Sequence, residues 1–219
     1  MSTLIISDTH LCEPFDQKKC DYLQRLFESH DQIILNGDFW EGYWYTFEEF
    51  LHSKWSALFP ILKAKKAIYI YGNHDRETYS DSRRELFCSW SGWRYEKTYG
   101  DTHYIFEHGN RLALKFDEKH HMQRVGRLLF TPAYFLEMAI VKVFGLAFFH
   151  AMFGKLNKQI KAHLKKELKP GEVFVCGHTH VQERSLKSQF VNTGVNKYGF
   201  SEYGVIDGKG DIAVYTKRY

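Results

Sequence analysis

Two histidines one residue apart follow a short apolar run in the last quarter of the sequence. The run is Val173-Phe174-Val175-Cys176, and the block behind it is Gly177-His178-Thr179-His180. A run of this length and composition predicts a buried strand. Alternate residues of an extended chain point the same way. The pattern therefore indicates a strand that delivers two imidazoles to one place, as a metal site requires.

Four further apolar runs also end in residues that can bind metal. They are rich in β-branched or aromatic side chains, which predicts strands. The blocks that follow them are, in chain order, Asp8-Thr9-His10, Gly37-Asp38, Gly72-Asn73-His74-Asp75 and His108-Gly109. In the first half of the chain the strands alternate with helical patterns, which predicts a parallel α/β sheet. Ligands of such sheets gather at the carboxyl ends of the strands.

The connecting segments carry helix signals. Between Asp16 and His30, apolar residues recur at steps of three and four, and Thr46 with Glu49 forms a capping box. A short helix around Arg83 to Trp90 is expected before the strand that ends at His108. The C-terminal part returns to strands at 172–176, 189–191, 203–206 and 211–215, and 207–210 form a hairpin turn.

A long apolar segment, Leu128 to Phe153, interrupts the alternation of strands and helices. Pro132, Glu137, Lys142 and His150 break it, so it lacks the roughly 20 consecutive apolar residues of a spanning helix. An amphipathic helix follows and stops at Pro170-Gly171. We predict one domain over 1–219 with a helical insertion at about 118–169.

The charge of this region differs from that of the rest. Residues 111–169 carry twelve Lys and Arg against four Asp and Glu, a balance of +8, whereas the remainder balances at −4. Apolar surface bordered by basic residues suits an anionic membrane surface. The four cysteines form no C-x-x-C pair and the N-terminus resembles no signal peptide, so we expect a cytoplasmic protein.

The five blocks, in this order, resemble the calcineurin-like metallophosphoesterase family over nearly the whole chain. The resemblance implies a four-layer α/β/β/α sandwich with a helical lid insertion, and a dinuclear metal centre. It implies that Asp38 bridges the two ions. One ion would be held by Asp8, His10 and His180, and the other by Asn73, His108 and His178.

Carboxylate oxygens mixed with imidazole nitrogens suit Mn, with Fe or Zn as alternatives. Two divalent ions about 3.5 to 4 Å apart can stabilise the attacking and leaving oxygens during displacement at phosphorus. The predicted catalytic residues are Asp38 and His74, with His74 protonating the departing oxygen. Arg76, Asn73 and Glu41 are predicted substrate contacts. For Arg76 and Glu41 a solvated surface charge is the alternative.

Within the family, Gly37-Asp38-Phe39-Trp40-Glu41 and the helical insertion resemble the UDP-2,3-diacylglucosamine pyrophosphatase branch. That branch cleaves a lipid-linked diphosphate at the cytoplasmic membrane face, and its insertion receives acyl chains. This chain departs from the branch pattern at Asn110, where Asp is usual, and at Tyr43, where Trp is usual. The departures leave the metal ligands intact and make the chain a relative of that branch.

The sequence therefore predicts a dinuclear-metal hydrolase that cleaves a phosphoester or diphosphate of an amphiphilic substrate, bound peripherally to the inner face of the cell membrane. The alternative enzyme is a soluble phosphodiesterase or nuclease acting on nucleotides, with the basic segment contacting phosphates. Nucleic acid is the less favoured partner. A membrane-binding module with a decayed site is the non-enzyme alternative, and the complete ligand set disfavours it.

Overall fold

A computed structural model describes residues 2–113 and 127–219, with side chains in the second range from Pro132 onward. Its first sheet has the strand order β11-β10-β1-β2-β3-β4. Strands β1 to β4 are parallel to their neighbours, and β10 and β11 add to the edge in antiparallel fashion. The strands are β1 Thr3–Ile6, β2 Gln32–Asn36, β3 Ile68–Ile70, β4 Trp90–Gly92, β10 Phe200–Ile206 and β11 Ile212–Arg218.

The second sheet has the order β5-β6-β7-β9-β8. Strands β6, β7 and β9 are parallel, and the two outer strands pair in antiparallel fashion. The strands are β5 Arg94–Tyr99, β6 Thr102–Glu107, β7 Glu172–Cys176, β8 Glu183–Ser185 and β9 Phe190–Asn192.

Three helices precede the second sheet, and two lie in the predicted insertion. They are α1 Gln17–Glu28, α2 Phe47–Leu51, α3 Phe59–Ala64, α4 Arg127–Phe144 and α5 Ala147–Leu164. Helix α1 begins behind Asp16, whose carboxylate accepts a hydrogen bond from the Lys19 backbone, and α2 begins with the predicted capping box of Thr46 and Glu49. Short 3-10 helices occupy Lys54–Leu58, Glu77–Tyr79, Ser82–Leu86 and Leu186–Ser188.

The side chains of each inner strand alternate between two apolar layers. In β1, Leu4 and Ile6 pack against helices α1 to α3, whereas Ile5 packs between the two sheets. In β7, Val173 and Val175 pack between the sheets, while Phe174 packs on α5 beside Ile160. The predicted four-layer α/β/β/α sandwich is thereby confirmed.

The region after β3 differs from the predicted pattern. Instead of one helix over Arg83 to Trp90, the chain has the 3-10 turn Ser82–Leu86 and then β4, which extends the first sheet. Strand β5 then begins the second sheet, so the strand before His108 does not belong to the first. Strand β5, Arg94-Tyr95-Glu96-Lys97-Thr98-Tyr99, is an edge strand whose exposed residues are polar or charged, so its sequence lacks an apolar run.

The insertion helices lie where the apolar segment predicts them, and residues 118–126 of the predicted insertion fall outside the described residues. Helices α4 and α5 meet at 104° around Gly145 and Leu146. No single described helix is long and apolar enough to cross a membrane. Only the bent pair, taken together, satisfies that length and composition.

Candidate active site

The carboxyl ends of six parallel strands, three from each sheet, meet at one edge of the sandwich. Strands β1, β2 and β3 end there in the first sheet, and β6, β7 and β9 in the second. All five predicted ligand blocks follow one of these strands. The prediction that they share one site therefore agrees with the geometry of the fold.

The backbone turns sharply where the strands deliver these side chains. Five of the predicted ligands have left-handed φ angles between 42° and 66°, namely Asp8, His10, Asp38, His178 and His180. A non-glycine residue held in a sparsely populated region costs on the order of 1 to 3 kcal/mol, and such strain concentrates at functional sites. Surrounding hydrogen bonds and packing hold these five residues in place.

Two glycines make room for the ligands of neighbouring strands. A Cβ on Gly37, which has φ +86°, would lie 2.4 Å from the His108 ring. A Cβ on Gly177 would lie 2.2 Å from a carboxylate oxygen of Asp8. Both glycines are thus required by close approach between the two sheets.

Two buried carboxylates lie at the centre of the histidines. The Asp38 Oδ2 atom is 3.1 Å from His108 Nε2 and 3.7 Å from His10 Nε2. The Asp8 Oδ1 atom is 3.3 Å from His180 Nε2 and 3.9 Å from His10 Nε2. Asp38 therefore contacts ligands of both predicted ions, as a bridging residue must.

The outer nitrogens of three imidazoles are fixed by hydrogen bonds. His108 Nδ1 donates to the Asn36 carbonyl at 3.0 Å, and His178 Nε2 donates to the Ala113 carbonyl at 2.7 Å. His10 Nδ1 donates to Glu41 Oε2 at 3.0 Å. In the neutral ring the opposite nitrogen then presents a lone pair to the centre, which is the usual arrangement of metal-binding histidines.

This arrangement requires a positive charge. Asp38 Oδ2 and His108 Nε2 are buried and form no hydrogen bond with described residues, although they face each other. Burial disfavours ionisation of His108, but Asp38 and Asp8 outweigh it and raise the pKa of His108 to about 9. Burial also opposes ionisation of Asp8, yet His108 and His180 hold its pKa below the usual range. Divalent ions would supply the charge that the carboxylates demand.

Five of the seven predicted ligands form two groups of closely spaced donor atoms. The donor atoms of Asp8, His10 and His180 lie within 4.8 Å of one another, as do those of Asp8, Asp38 and His108. The Asn73 Oδ1 atom lies 3.1 Å from His178 Nδ1 beside them. This combination of carboxylate, imidazole and amide donors fits Mn, Fe or Zn. The assignment of individual ligands to each ion stays a prediction.

Glu41 holds two histidines. Its Oε2 accepts from His10 Nδ1 at 3.0 Å and its Oε1 from His74 Nδ1 at 2.6 Å. Burial opposes the charge on Glu41, but the imidazoles of His74 and His10 hold its pKa below the usual range. His74 also stacks on Tyr43, with ring centroids 4.0 Å apart. Glu41 is buried, so it is not the solvated surface charge of the alternative, and it positions two histidines; because it also lines the neighbouring cavity, its contact with substrate stays a prediction.

The predicted phosphate clamp, Arg76, contacts the backbone of a predicted metal ligand, and its contact with phosphate stays a prediction. Arg76 Nε donates to the Asn73 carbonyl at 3.2 Å, and Arg76 is not among the described residues that line the cavity beside these histidines. The cation that does line it is Lys197. The cavity has a volume of about 220 Å³, and its lining includes His10, His74, His180, Tyr43, Lys197 and Tyr198.

The insertion forms the remaining wall of this cavity. Tyr134 and Glu137 of α4 and Phe153 of α5 line it. The Glu137 carboxylate pairs with Lys197 Nζ at 2.9 Å, and the ion pair lowers the pKa of Glu137 to about 2 although burial opposes this. Phe149 of α5 packs edge-on against His180 at 5.1 Å. The insertion therefore contacts a predicted metal ligand directly.

Sequence reasoning missed a set of buried polar residues that support the ligands. Asn157 of α5 accepts from Thr179 Oγ1 at 2.7 Å and donates to the Val181 carbonyl at 3.0 Å, so it holds the loop with both C-terminal histidines. A single Asn between Phe153 and Ile160 on an apolar helix face was the available signal.

Asp75 and the segment after β9 are further supports. Both carboxylate oxygens of Asp75 accept from backbone N–H groups, including those of Asp38 and Phe39. Asn192 Nδ2 donates to the Gly177 carbonyl, and Asn196 Nδ2 to the Ser7 carbonyl. The signal for the second group was a sixth apolar run that ends in polar residues, Asn192-Thr193-Gly194-Val195-Asn196.

The sequence matches the calcineurin-like phosphoesterase superfamily domain over residues 1–201, and the chain belongs to this superfamily. Membership supports hydrolysis of a phosphoester and implies divalent metal ions, for which the clusters above supply candidate ligands. No curated protein matches the chain at a significant level.

Several solved structures are similar to this chain at low sequence identity. YfcE, a phosphoesterase from E. coli, is 14% identical with a TM-score of 0.47 and coverage of 98% of both chains. The Thermotoga maritima protein TM1076 is 18% identical with a TM-score of 0.49, covering 100% of this chain and 99% of that one. Vps29 from Entamoeba histolytica, solved with zinc, is 13% identical with a TM-score of 0.47 and the same coverage.

Replacement of the central carboxylate tests the dinuclear site. We expect Asp38→Ala to lose bound metal and turnover together, because Asp38 contacts ligands of both predicted ions. Arg76→Ala should retain its metal, since the Arg76 side chain donates to the Asn73 carbonyl and offers no donor atom to a cation. Metal content by plasma mass spectrometry, with near-ultraviolet circular dichroism as a check of folding, makes the comparison. Two ions retained in Asp38→Ala would contradict the site.

Proposed function

We propose that this protein is a metal-dependent hydrolase that cleaves a phosphoester or diphosphate bond in an amphiphilic substrate. The observation that carries the proposal is the position of the 220 Å³ cavity, which lies between the predicted metal ligands and the apolar insertion. His10, His74 and His180 line one side of it, and Tyr134 and Phe153 line the other. A substrate in this cavity would contact the polar histidines on one side and the apolar helices of the insertion on the other.

The bound ions, for which we propose Mn²⁺ from the mixed oxygen and nitrogen donors, would supply Lewis-acid activation of a water molecule and of the phosphoryl oxygens. The protein residues would hold the ions in position and donate or accept the protons of the reaction. Asp38 and Asp8 provide the anionic donors at the centre. The outer hydrogen bonds of His10, His108 and His178 keep each ring oriented.

His74 is the group best placed to protonate the departing oxygen. Its Nδ1 is held by Glu41 at 2.6 Å, which leaves Nε2 for the cavity, 4.0 Å from Asp38 Oδ2. The Glu41 carboxylate stabilises the imidazolium form, from which Nε2 can donate its proton as the bond to phosphorus breaks. Lys197 also lines the cavity, and its ammonium, which pairs with Glu137, is a further candidate contact for the phosphate.

The outer surface of the insertion supports a membrane-bound substrate. Leu136, Val143 and Phe144 of α4 are 63%, 75% and 66% exposed, and Met152 of α5 is also exposed. Leu136 and Phe144 are eight residues apart and so share one helix face. Two exposed lysines of α5, Lys155 and Lys158, lie beside this apolar surface. We propose that it docks on an anionic bilayer at the inner face of the cell membrane, with the protein otherwise in the cytoplasm.

The chain also resembles the UDP-2,3-diacylglucosamine pyrophosphatase branch, and an acylated sugar linked to a diphosphate fits both the cavity and the docking surface. Its diphosphate would enter beside the histidines, and its acyl chains would lie along α4 and α5. A soluble nucleotide phosphodiesterase is the second candidate, because residues 111–169 carry a net positive charge of +8 that could contact nucleotide phosphates.

A turnover screen tests the proposed function. With Mn²⁺ present, we expect hydrolysis of UDP-linked acylated sugars to exceed that of cyclic nucleotides and of bis(p-nitrophenyl) phosphate. Chelation with EDTA should abolish all three activities, and readdition of Mn²⁺ should restore them. Preference for cyclic nucleotides, without any effect of detergent or lipid, would instead favour the soluble phosphodiesterase.

Replacement of His74 tests the proton donor. His74→Ala should keep its metal content and lose about 100-fold or more in rate on substrates with alkyl leaving groups, as expected for a lost general acid. The loss should be smaller for p-nitrophenolate, which leaves without protonation. His52→Ala is the control, because His52 is exposed and hydrogen-bonds only near its own helix. Equal losses for both leaving groups would count against the acid role.

Liposome flotation tests the docking surface. The protein should float with phosphatidylglycerol vesicles and less with phosphatidylcholine vesicles, and salt should weaken binding because basic residues near an anionic surface contribute about 1 kcal/mol each. Leu136→Asp with Phe144→Asp should abolish flotation. Leu186→Asp is the matched control, since Leu186 is an exposed leucine outside the insertion. Equal flotation of all three proteins would refute docking through this surface.

A further inference from the structure

A second cavity adjoins the first and contains unexplained positive charge. Its volume is about 270 Å³, and it shares His10, Tyr134, Lys197 and Tyr198 with the cavity beside the metal ligands. Three lysines line it, Lys19, Lys142 and Lys197, and the described acidic residue in its lining is Asp16. The catalytic arrangement described above uses neither Lys19 nor Lys142.

Lys19 is the unusual member of this group. It is only 6% exposed, yet it lies in α1, a helix whose other lysine, Lys18, is exposed. Its Nζ donates to the Thr9 carbonyl and lies 5.8 Å above the ring of Trp55. No carboxylate of residues 2–113 or 127–219 forms an ion pair with it. A buried ammonium without an anionic partner is costly, which calls for a compensating function.

The remaining charges around the cavity compensate Lys19 only in part. Asp16, the N-terminal cap of α1, favours the charged form of Lys19, but its carboxylate forms no ion pair with the ammonium. Lys197 is neutralised by Glu137 from the other cavity. Burial, together with the nearby charge of Lys197, lowers the pKa of Lys19 to about 8. The group is still largely charged at neutral pH, and a bound anion would stabilise that charge.

We infer that the cavity around Lys19, Lys142 and Trp55 is a second phosphate subsite next to the metal-bound one. The aromatic rings of Trp55 and Tyr134 line this cavity, and Lys142 of α4 contributes a further positive charge from the insertion. On the proposed function, on which the substrate interpretation rests, it would hold the phosphate that is not attacked in a diphosphate, or another anionic group of the same substrate.

Phosphate stoichiometry tests the subsite directly. In calorimetric titration of the Mn²⁺-loaded protein with inorganic phosphate, we expect two sites per chain in the wild type and one in Lys19→Met. Lys18→Met, the neighbouring lysine on the same helix, should keep two. One site in all three proteins, or two in Lys19→Met, would overturn the subsite.

Thermal unfolding separates a ligand site from a structural lysine. Without phosphate, Lys19→Met should unfold at a higher temperature than the wild type, because a neutral side chain of similar length replaces a buried charge. Lower stability of Lys19→Met, with phosphate stoichiometry unchanged, would show that Lys19 has a structural role through its hydrogen bond to Thr9. That result would overturn the inference.

Kinetics distinguish a phosphate of the substrate from free phosphate. The ratio of kcat/KM for a diphosphate diester to that for bis(p-nitrophenyl) phosphate should fall at least 10-fold in Lys19→Met and stay constant in Lys18→Met. An unchanged ratio, with one phosphate site lost, would assign the subsite to free phosphate and overturn the substrate interpretation. If no Mn²⁺-dependent turnover exists, the proposed function fails, while the stoichiometry still decides the subsite.

Discussion

The buried carboxylates of Asp8 and Asp38 impose the main physical constraint on this structure. Both lie at the junction of the two sheets, where water does not stabilise their charge. The imidazoles of His10, His108 and His180 surround them, and the two carboxylates favour a positive charge beside them, which raises the pKa of His108. The chain retains these groups at a cost in backbone strain and desolvation, which metal binding would offset.

The two-sheet architecture serves this cluster. Three parallel strands of each sheet end at the same edge, so ligands far apart in sequence lie within a few ångströms of one another. Buried polar side chains then fix the loops, with Asp75 holding the ends of β2 and β3 and Asn157 holding the loop of His178 and His180. The insertion is thus part of the support of the site as well as its outer wall.

The insertion also joins the site to the surface. Its inner side contacts His180 through Phe149 and Lys197 through Glu137, and its outer side exposes apolar residues between lysines. An amphiphile that lies along this surface has a short path to the histidines. The same helices contribute Tyr134 and Lys142 to the second cavity, so one element contacts the proposed positions of the lipid, the cleaved phosphate and the second anion.

The sequence by itself determined the strands that end in ligand blocks, the α1 helix, the capping box at Thr46 and the family of the chain, because these depend on local periodicity and on residue types in a fixed order. It did not reveal β4 and β5, whose exposed or short sequences lack an apolar pattern. The sequence also could not predict the distances between side chains that follow different strands. Only the tertiary structure could assign Glu41 to two histidines and bury Lys19 without an ion pair to a carboxylate of the described residues. These outcomes depend on which loops the two sheets bring together.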